Sequence, residues 1–575
     1  MKKLLVLFKG YRKESFFAPA FKCLEAIFEL LVPLAVARII DKGIKGGDRG
    51  TLFAMCGVMI ALGVIGLVCA ICAQYFAAKA AVGVSQKLRS SLFSHIQALD
   101  YRRTDEIGTS TLITRMTGDI NSVQTGINMF LRLFMRSPFI VFGAMIMAFT
   151  IHPRLALIFA AVIAALAVVV FGIMLISIPL DKRTRSGMDR VLGKVRENYT
   201  GTRVIRAFNK EADEIADFDE RHRLLTKFQI VAGRISALMN PITYVLINLA
   251  VILLIRGGAI SVNEGELSQG ELIALYNYMS QILVELIKLA NLIVTLTKAM
   301  AGAHRISDVL NTPVDSERQV ALASDETGDA VSFRDVAYRY HADADDAVSG
   351  ISFSVQRGQT VGIIGSTGSG KTTLMNLLPG FYAPTEGSVL IDGKNTALYG
   401  KDELRSRFGI VPQKPLLFKG TIRTNLLWGC KDATEEEMIT ALEWAQAADF
   451  VREKPLGLDE PVAQNGSNFS GGQKQRLTIA RALLKRPEFL ILDDSASALD
   501  LGTESRLRRA IGALPYHPTV FIVSQRASSL MHADQILVLD DGALVGSGTH
   551  EELLRSCDTY REIFLSQFPE GGVTA

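Results

Sequence analysis

Cysteine is scarce in this chain, with six residues in 575. Cys23, Cys56, Cys69 and Cys72 fall in apolar stretches, while Cys430 and Cys557 stand alone, outside any CxxC or histidine-containing metal spacing. That distribution excludes a disulfide framework and predicts reduced, structural thiols. Charge of one sign is lacking too: a net charge of +4 over this length gives no warrant for nucleic-acid binding. The opening MKKLLVLFKGYRKESFF fits a cleavable leader poorly, because LLVLF is too short for a signal h-region and charges follow at once. A surface-lying amphipathic lead-in helix is expected there instead.

Apolar residues are abundant, at 49% of the chain, and this points to a membrane. Six segments, roughly 16–40, 52–79, 131–151, 155–180, 237–260 and 270–297, approach the ~20 mainly apolar residues that cross a bilayer. Lys22, Glu25, Glu29 and Arg38 interrupt the first, and Glu285 and Lys288 the last. Ionisable groups at that depth face a bundle interior or a polar path, so gating pairs or polar-substrate contacts are expected of them. About 18 Lys and Arg residues lie in 80–130 and 181–236, against about four in the short connections near 41–51, 152–154 and 260–269. The positive-inside rule therefore predicts both long loops and both termini on the cytoplasmic side. Each long loop has a helical pattern, and a helix of about 24 residues extends about 36 Å. The spans should continue as helical hairpins beyond the bilayer.

From about residue 330 the pattern changes to short Val/Ile/Leu runs alternating with turns and amphipathic helices. The polar stretch Asn311 to Ala330 separates the two regimes. The expected division is a membrane domain over 1–310, a linker over 311–330 and a second domain over 331–575.

In that second domain the strand-like TVGIIG runs into GSTGSGKT, Gly365 to Thr372, and then into a helical TLMNLL. This is a P-loop: its backbone N–H groups close around phosphates, Lys371 reaches the β and γ oxygens, and Thr372 offers its hydroxyl to Mg²⁺. Ser366, Thr367, Gly368, Ser369, Gly370, Lys371, Thr372 and Thr373 are the candidate nucleotide-binding set. A second metal group is expected at the end of a neighbouring buried strand, and FLILDD supplies Asp493 there. Between the two, NFSGGQKQRLTIARAL sets Ser470, Gly471 and Gly472 just before an amphipathic helix, a second anion-binding arrangement. A plain serine cap explains Ser470 but neither the glycine pair nor Gln473.

With these motifs the chain resembles an ABC exporter half-transporter, and the resemblance covers nearly its whole length. FSGGQ matches the LSGGQ signature, with Phe469 in place of Leu. The resemblance implies an all-α six-helix transmembrane domain fused to an α/β P-loop ABC ATPase domain, the type IV exporter architecture. It also implies ATP and Mg²⁺ as cofactors, with Tyr340 stacking on adenine and the Q-loop Gln413 near Mg²⁺ alongside Thr372 and Asp493. Asp500 corresponds to the D-loop aspartate, while the tips Thr104 to Ser110 and Gly201 to Phe208 correspond to coupling helices. In this family the P-loop of one domain and the signature of another enclose each ATP. Ser470, Gly471, Gly472 and Gln473 would then serve a partner's nucleotide.

Two positions depart from the family pattern. Active members carry Glu after the Walker B Asp as general base, and a later His on the γ-phosphate; here these are Asp494 and Gln525. On the same backbone a carboxylate one methylene shorter is withdrawn by about 1 Å, and a misplacement of that size costs on the order of 10²-fold. Gln525 can hydrogen-bond a phosphate but cannot become cationic. The pattern resembles the degenerate-site subunit of heterodimeric bacterial multidrug exporters. It implies a second half-transporter with an intact Glu and His as partner, a small amphiphilic substrate, and a bacterial inner or cytoplasmic membrane. A lipid flippase or peptide exporter of the same fold, and a non-transporting ATP-gated membrane sensor, stay open as alternatives.

Overall fold

The computed structural model describes residues 7–314, 328–341 and 343–568. Residues 315–327 of the expected linker, and the first six residues of the expected lead-in helix, lie outside that range. The chain divides into two compact units, one formed by Met1–Gln97 and Gly108–Thr312, the other by Ala98–Ile107 and Pro313–Ala575. The short segment Ala98–Ile107 thus groups with the second unit, although it lies between spans in the sequence.

Among its described residues the first unit is helical apart from short connections. Its long elements are α1 (Arg12–Arg38), α2 (Arg49–Ala98), α4 (Thr109–Ile151), α5 (Pro153–Thr200), α7 (Glu211–Asn263) and α8 (Gln269–Asn311), with the short α6 (Thr202–Ala207) between α5 and α7; α3 (Tyr101–Ile107), between α2 and α4 in the chain, belongs to the second unit. Among the described residues, five helices are long and apolar enough to cross a membrane, namely α2, α4, α5, α7 and α8. At 50 residues α2 extends about 75 Å, far beyond the ~30 Å of a hydrocarbon core.

The sixth expected span, α1, carries too many charges for that test, and its packing explains how they are accommodated. Arg136 of α4 reaches Glu29 of α1 at 2.5 Å and Glu285 of α8 at 2.7 Å. Ser137 donates to Glu285 at 2.7 Å, Lys288 lies 2.9 Å from the same carboxylate, and Lys22 pairs with Glu25 at 2.6 Å. Arg136 and Glu285 are almost fully buried. Charges that weaken the hydropathy of α1 and α8 therefore neutralise one another where α1, α4 and α8 meet. At the far end of α1, Asp41 accepts from the backbone N–H of Gly270 at 2.9 Å and from Ser268, the N-cap of α8. A Cβ on Gly270 would stand 2.3 Å from the Ala37 carbonyl oxygen, so the close approach requires glycine.

The second unit is an α/β domain. Its strands are β1 (Val331–Tyr338), β2 (Val348–Val355), β3 (Thr360–Gly365), β4 (Glu386–Ile391), β5 (Lys394–Asn395), β6 (Phe408–Val411), β7 (Gly420–Thr421), β8 (Pro461–Val462), β9 (Phe489–Asp493), β10 (Thr519–Val523), β11 (Gln535–Asp540) and β12 (Ala543–Gly548). The helices used below are α9 (Lys371–Leu377), α10 (Gly471–Leu484), α11 (Leu501–Gly512) and α12 (Asp558–Gln567). The main sheet runs β12-β11-β3-β10-β9-β6, with parallel pairing from β11 to β6 and β12 antiparallel at the edge. An antiparallel sheet, β2-β1-β4-β5, stands beside it. The inner strand β9, FLILD, is buried at every position, which is why it reads as an apolar run up to Asp493 and does not alternate.

Parallel register places the chemistry. Val523 of β10 pairs with Asp493 of β9 and with Ile363 of β3, while Val411 of β6 pairs with Leu492. The strand ends that lead into the P-loop, Asp493, Ser524 and Gln413 therefore share one edge of the sheet, where α/β sheets bind ligands.

Candidate nucleotide site

At that edge lies a cleft of ≈ 350 Å³ lined by Tyr340, Thr367, Gly368, Gly370, Lys371, Thr372, Thr373, Gln413, Asp493, Asp494 and Gln525, with Ala347, Val523 and Ser524. Of the P-loop residues expected to bind nucleotide, Ser366 and Ser369 do not line the cleft; both contact the Lys371 ammonium. Lys371 sits inside its own loop, with Nζ 2.9 Å from the Gly365 carbonyl oxygen, 2.5 Å from that of Ser366 and 3.3 Å from Ser369 Oγ. Burial pulls the Lys371 ammonium below the usual lysine range, and the nearby Asp493 and Asp494 oppose that shift. Gly370 caps α9 in the left-handed region at φ 91°, and a Cβ there would meet the Ala347 carbonyl oxygen at 2.5 Å. The glycine spacing thus answers a real steric demand.

Thr372 Oγ1 donates to Asp493, at 3.0 Å from Oδ2 and 3.3 Å from Oδ1. Burial is the main force raising the Asp493 carboxyl above its usual range; Asp494 adds to it, and the Thr372 hydrogen bond counteracts it. A divalent cation would relieve that burial. Among the described residues no group of three or more His, Cys, Asp or Glu is arranged to hold a metal. One hydroxyl and one carboxylate suit Mg²⁺, which completes its octahedron with phosphate oxygens and water.

Asp494 follows in the left-handed region at φ 45°, its N–H donating to the Val523 carbonyl at 2.9 Å and its carbonyl accepting from Ser497 Oγ at 2.8 Å. This backbone aims the carboxylate into the cleft, where Gln413 Nε2 approaches Oδ2 at 3.4 Å. Gln413 thus stands beside Asp494, while Thr372 and Asp493 are paired with each other. Gln525 leaves the end of β10 at the cleft margin, exposed.

Tyr340 forms one wall. Its hydroxyl lies 3.0 Å from Thr373 Oγ1, and its ring meets Tyr338 and Tyr382 edge-on at 5.0 and 5.5 Å. Tyr382 in turn donates to Asp105 of α3 at 2.7 Å, and the Tyr101 and Phe381 rings pack at 4.6 Å. Burial, with the Asp105 hydrogen bond second, raises the Tyr382 phenol above its usual range. Sequence reasoning missed Tyr382, because nothing local marks it: its partner lies 277 positions away.

The signature segment occupies a separate, largely exposed surface of the same unit. Ser470 caps α10 in a reciprocal capping box with Gln473, leaving Gly471 exposed. A Cβ on Gly472 would lie 3.1 Å from the Ala498 carbonyl oxygen, in the loop that ends at Asp500. Asp500 caps α11, accepting from the Thr503 N–H at 2.9 Å, and this bond holds its carboxyl below the usual range. None of Ser470, Gly471, Gly472 or Gln473 lines the cleft.

Residues 15–286 match the ABC transporter transmembrane region family, and residues 348–497 match the ABC transporter family. The ABC transporter ATP-binding protein YfiB of Bacillus subtilis is 34% identical over 100% of this chain and 99% of its own. The chain belongs to the ABC transporters. Another relative, the putative multidrug export ATP-binding/permease protein YgaD of Bacillus subtilis, is 33% identical over 99% of both chains. A solved bacterial Atm1-family ABC exporter with ATP bound aligns at a TM-score of 0.82 and 25% identity, covering 97% of this chain and 99% of that one. This ABC transporter is a multi-pass membrane protein of the exporter fold, a half-transporter with its transmembrane and ATPase domains fused in one chain. Since one chain carries one ATPase domain, the architecture implies a dimer or a partner subunit.

Proposed function

We propose that this ABC transporter is one subunit of an ATP-driven exporter of small amphiphilic molecules that works by alternating access. ATP with Mg²⁺ binds in the cleft, held by the P-loop residues 366–373 and by Tyr340, with Thr372, Asp493 and Gln413 around the metal. The chain's own site turns over slowly, and its signature, Ser470 to Gln473, closes over the competent ATP of a different half-transporter carrying an intact Glu and His. In this reading the membrane domain is 1–310, the linker 311–330 and the ATPase domain 331–575, to which Ala98–Ile107 adds a segment by its contacts, and the ATPase domain and both termini lie on the cytoplasmic face of a bacterial inner or cytoplasmic membrane.

One observation carries this reading. Asp494 and Gln525 line the same cleft as the P-loop, Asp493 and Gln413, so both substitutions fall on the hydrolytic step and the binding residues are untouched. The likeness to YgaD, a putative multidrug export protein, supports multidrug-type substrates. The deciding experiment is ATPase activity of the purified single chain in lipid. Little turnover with retained ATP binding is expected, and robust turnover abolished by Lys371→Ala would overturn the slow-site assignment. With the partner added, nucleotide trapping should label the two sites unequally.

A further inference from the structure

The signature surface and the cleft both belong to the second unit, and the structure supplies a continuous path between them. It begins where Gly472 abuts Ala498, in the loop that ends at Asp500. Asp500 caps α11, and one turn along that helix stands Glu504, buried at 8% exposure. Glu504 Oε1 accepts from the hydroxyl of Ser529, itself buried at 5% exposure. The other carboxylate oxygen, Oε2, is buried with no hydrogen bond, and Arg526 Nη1 stands 3.6 Å away. A turn further along α11, Arg508 donates to the Ser528 carbonyl at 3.2 Å. The segment held this way, Arg526 to Ser529, directly follows Gln525 at the cleft margin.

We propose that Glu504 is a positioning residue that ties the Gln525 loop to α11, so that displacement at the signature surface is transmitted to this chain's own nucleotide cleft. The inference rests on the reading of Gln525 as a phosphate-facing residue, and it adds a route by which occupancy of the partner's site regulates this one. A buried carboxylate is suited to the role. Its bond to Ser529 is charge-assisted and short-ranged, so the loop follows α11 and does not slide past it. The other oxygen, ion-paired with Arg526 at 3.6 Å but not hydrogen-bonded, offers a second contact that tightens to a hydrogen bond or breaks with a shift of about 1 Å.

The loop is also held on its opposite flank. Gln567, at the end of α12, donates to the Gln525 carbonyl at 2.8 Å and accepts from the Ala527 N–H at 2.9 Å. Gln567 is exposed, and both of these hydrogen bonds go to the loop from α12, so it anchors the loop from outside the path. It provides the control that separates relay from simple support.

The test is hydrogen exchange over residues 525–529 in the full-length protein in lipid, with MgATP. Gly472→Ala inserts a methyl group against the Ala498 carbonyl and should raise exchange of the loop, although the substitution lies on the other surface. Glu504→Ala should raise exchange by itself, by about 10-fold for loss of a charged hydrogen bond, and should abolish any further response to Gly472→Ala. Glu504→Gln, which keeps an acceptor for Ser529, should preserve part of the response and covers the case in which the alanine variant does not fold. Gln567→Ala should loosen the loop yet leave the response to Gly472→Ala intact. Additive effects of Gly472→Ala and Glu504→Ala, or a loop that ignores Gly472→Ala in the otherwise unaltered chain, would overturn the relay. Because exchange needs no turnover, the result is independent of whether the Asp494 site proves slow. A Gln525→Ala variant that releases ATP at the unaltered rate would overturn the placement of Gln525 at the phosphate, not the tie through Glu504.

Discussion

Asp494 differs from the expected glutamate by one methylene, and its surroundings say what that methylene does. The backbone is pinned on both sides, by the Val523 carbonyl and by Ser497, so the carboxylate cannot advance by moving the main chain. Lengthening the side chain is the remaining route. Asp494→Glu should raise turnover at this site by up to about 10²-fold, measured as ATPase of the dimer with the partner's P-loop lysine replaced; no increase would mean that the base position does not limit hydrolysis. A different constraint acts on Lys371. Its ammonium already satisfies two carbonyls and a hydroxyl, so incoming phosphate must replace those bonds, and Lys371→Arg, with a planar head too wide for that nest, should weaken ATP binding in direct titration. At this scale the sequence was most legible. Lys371, Thr372, Asp493, Asp494 and Gln525 are each marked by a strand and the turn that follows it, and parallel register brings strand ends together whatever their separation in the chain. Gln413 was legible as a member of the cleft, but its approach to Asp494 was not, since it depends on a side-chain orientation that spacing does not encode.

Elements were legible where periodicity alone decides them. The apolar runs announce the long helices, and the buried strands of the ATPase domain read as continuous Val/Ile/Leu segments. What composition obscured was α1, whose charges count against a membrane span until Arg136 and Glu285, from two other helices, are placed beside them. Breaking that group should be costly. Arg136→Ala takes from Glu29 its counter-charge and leaves the buried Glu285 with the half-exposed Lys288 alone, and should destabilise the membrane unit by up to about 3–5 kcal/mol; adding Glu285→Gln should recover part of the loss. Thermal unfolding of the detergent-solubilised protein measures both; equal stability of Arg136→Ala and the unaltered chain would show that water reaches the group. The helix α3 allows a second comparison. Tyr382→Phe removes only the hydroxyl that donates to Asp105, and Asp105→Ala removes the acceptor; combined, the two substitutions should show a coupling of about 1 kcal/mol, read from hydrogen exchange of residues 101–107.

For the molecule as a whole, two units were legible from the change in pattern near residue 311, but their membership was not. A hydropathy profile divides a chain at points along its length, whereas contacts assign Ala98–Ile107 to the ATPase unit through Tyr101, Asp105 and the rings they meet. This has a practical corollary for anyone preparing the ATPase unit by itself. A fragment begun after the linker would lack ten residues of its own fold, leaving Phe381 and Tyr382 without the side chains that cover them, with Arg405, which reaches over both Tyr101 and Phe381, losing one of its two aromatic neighbours. Such a fragment should be poorly soluble for a reason unrelated to its nucleotide site, and supplying the Ala98–Ile107 segment as a tethered peptide is the natural remedy.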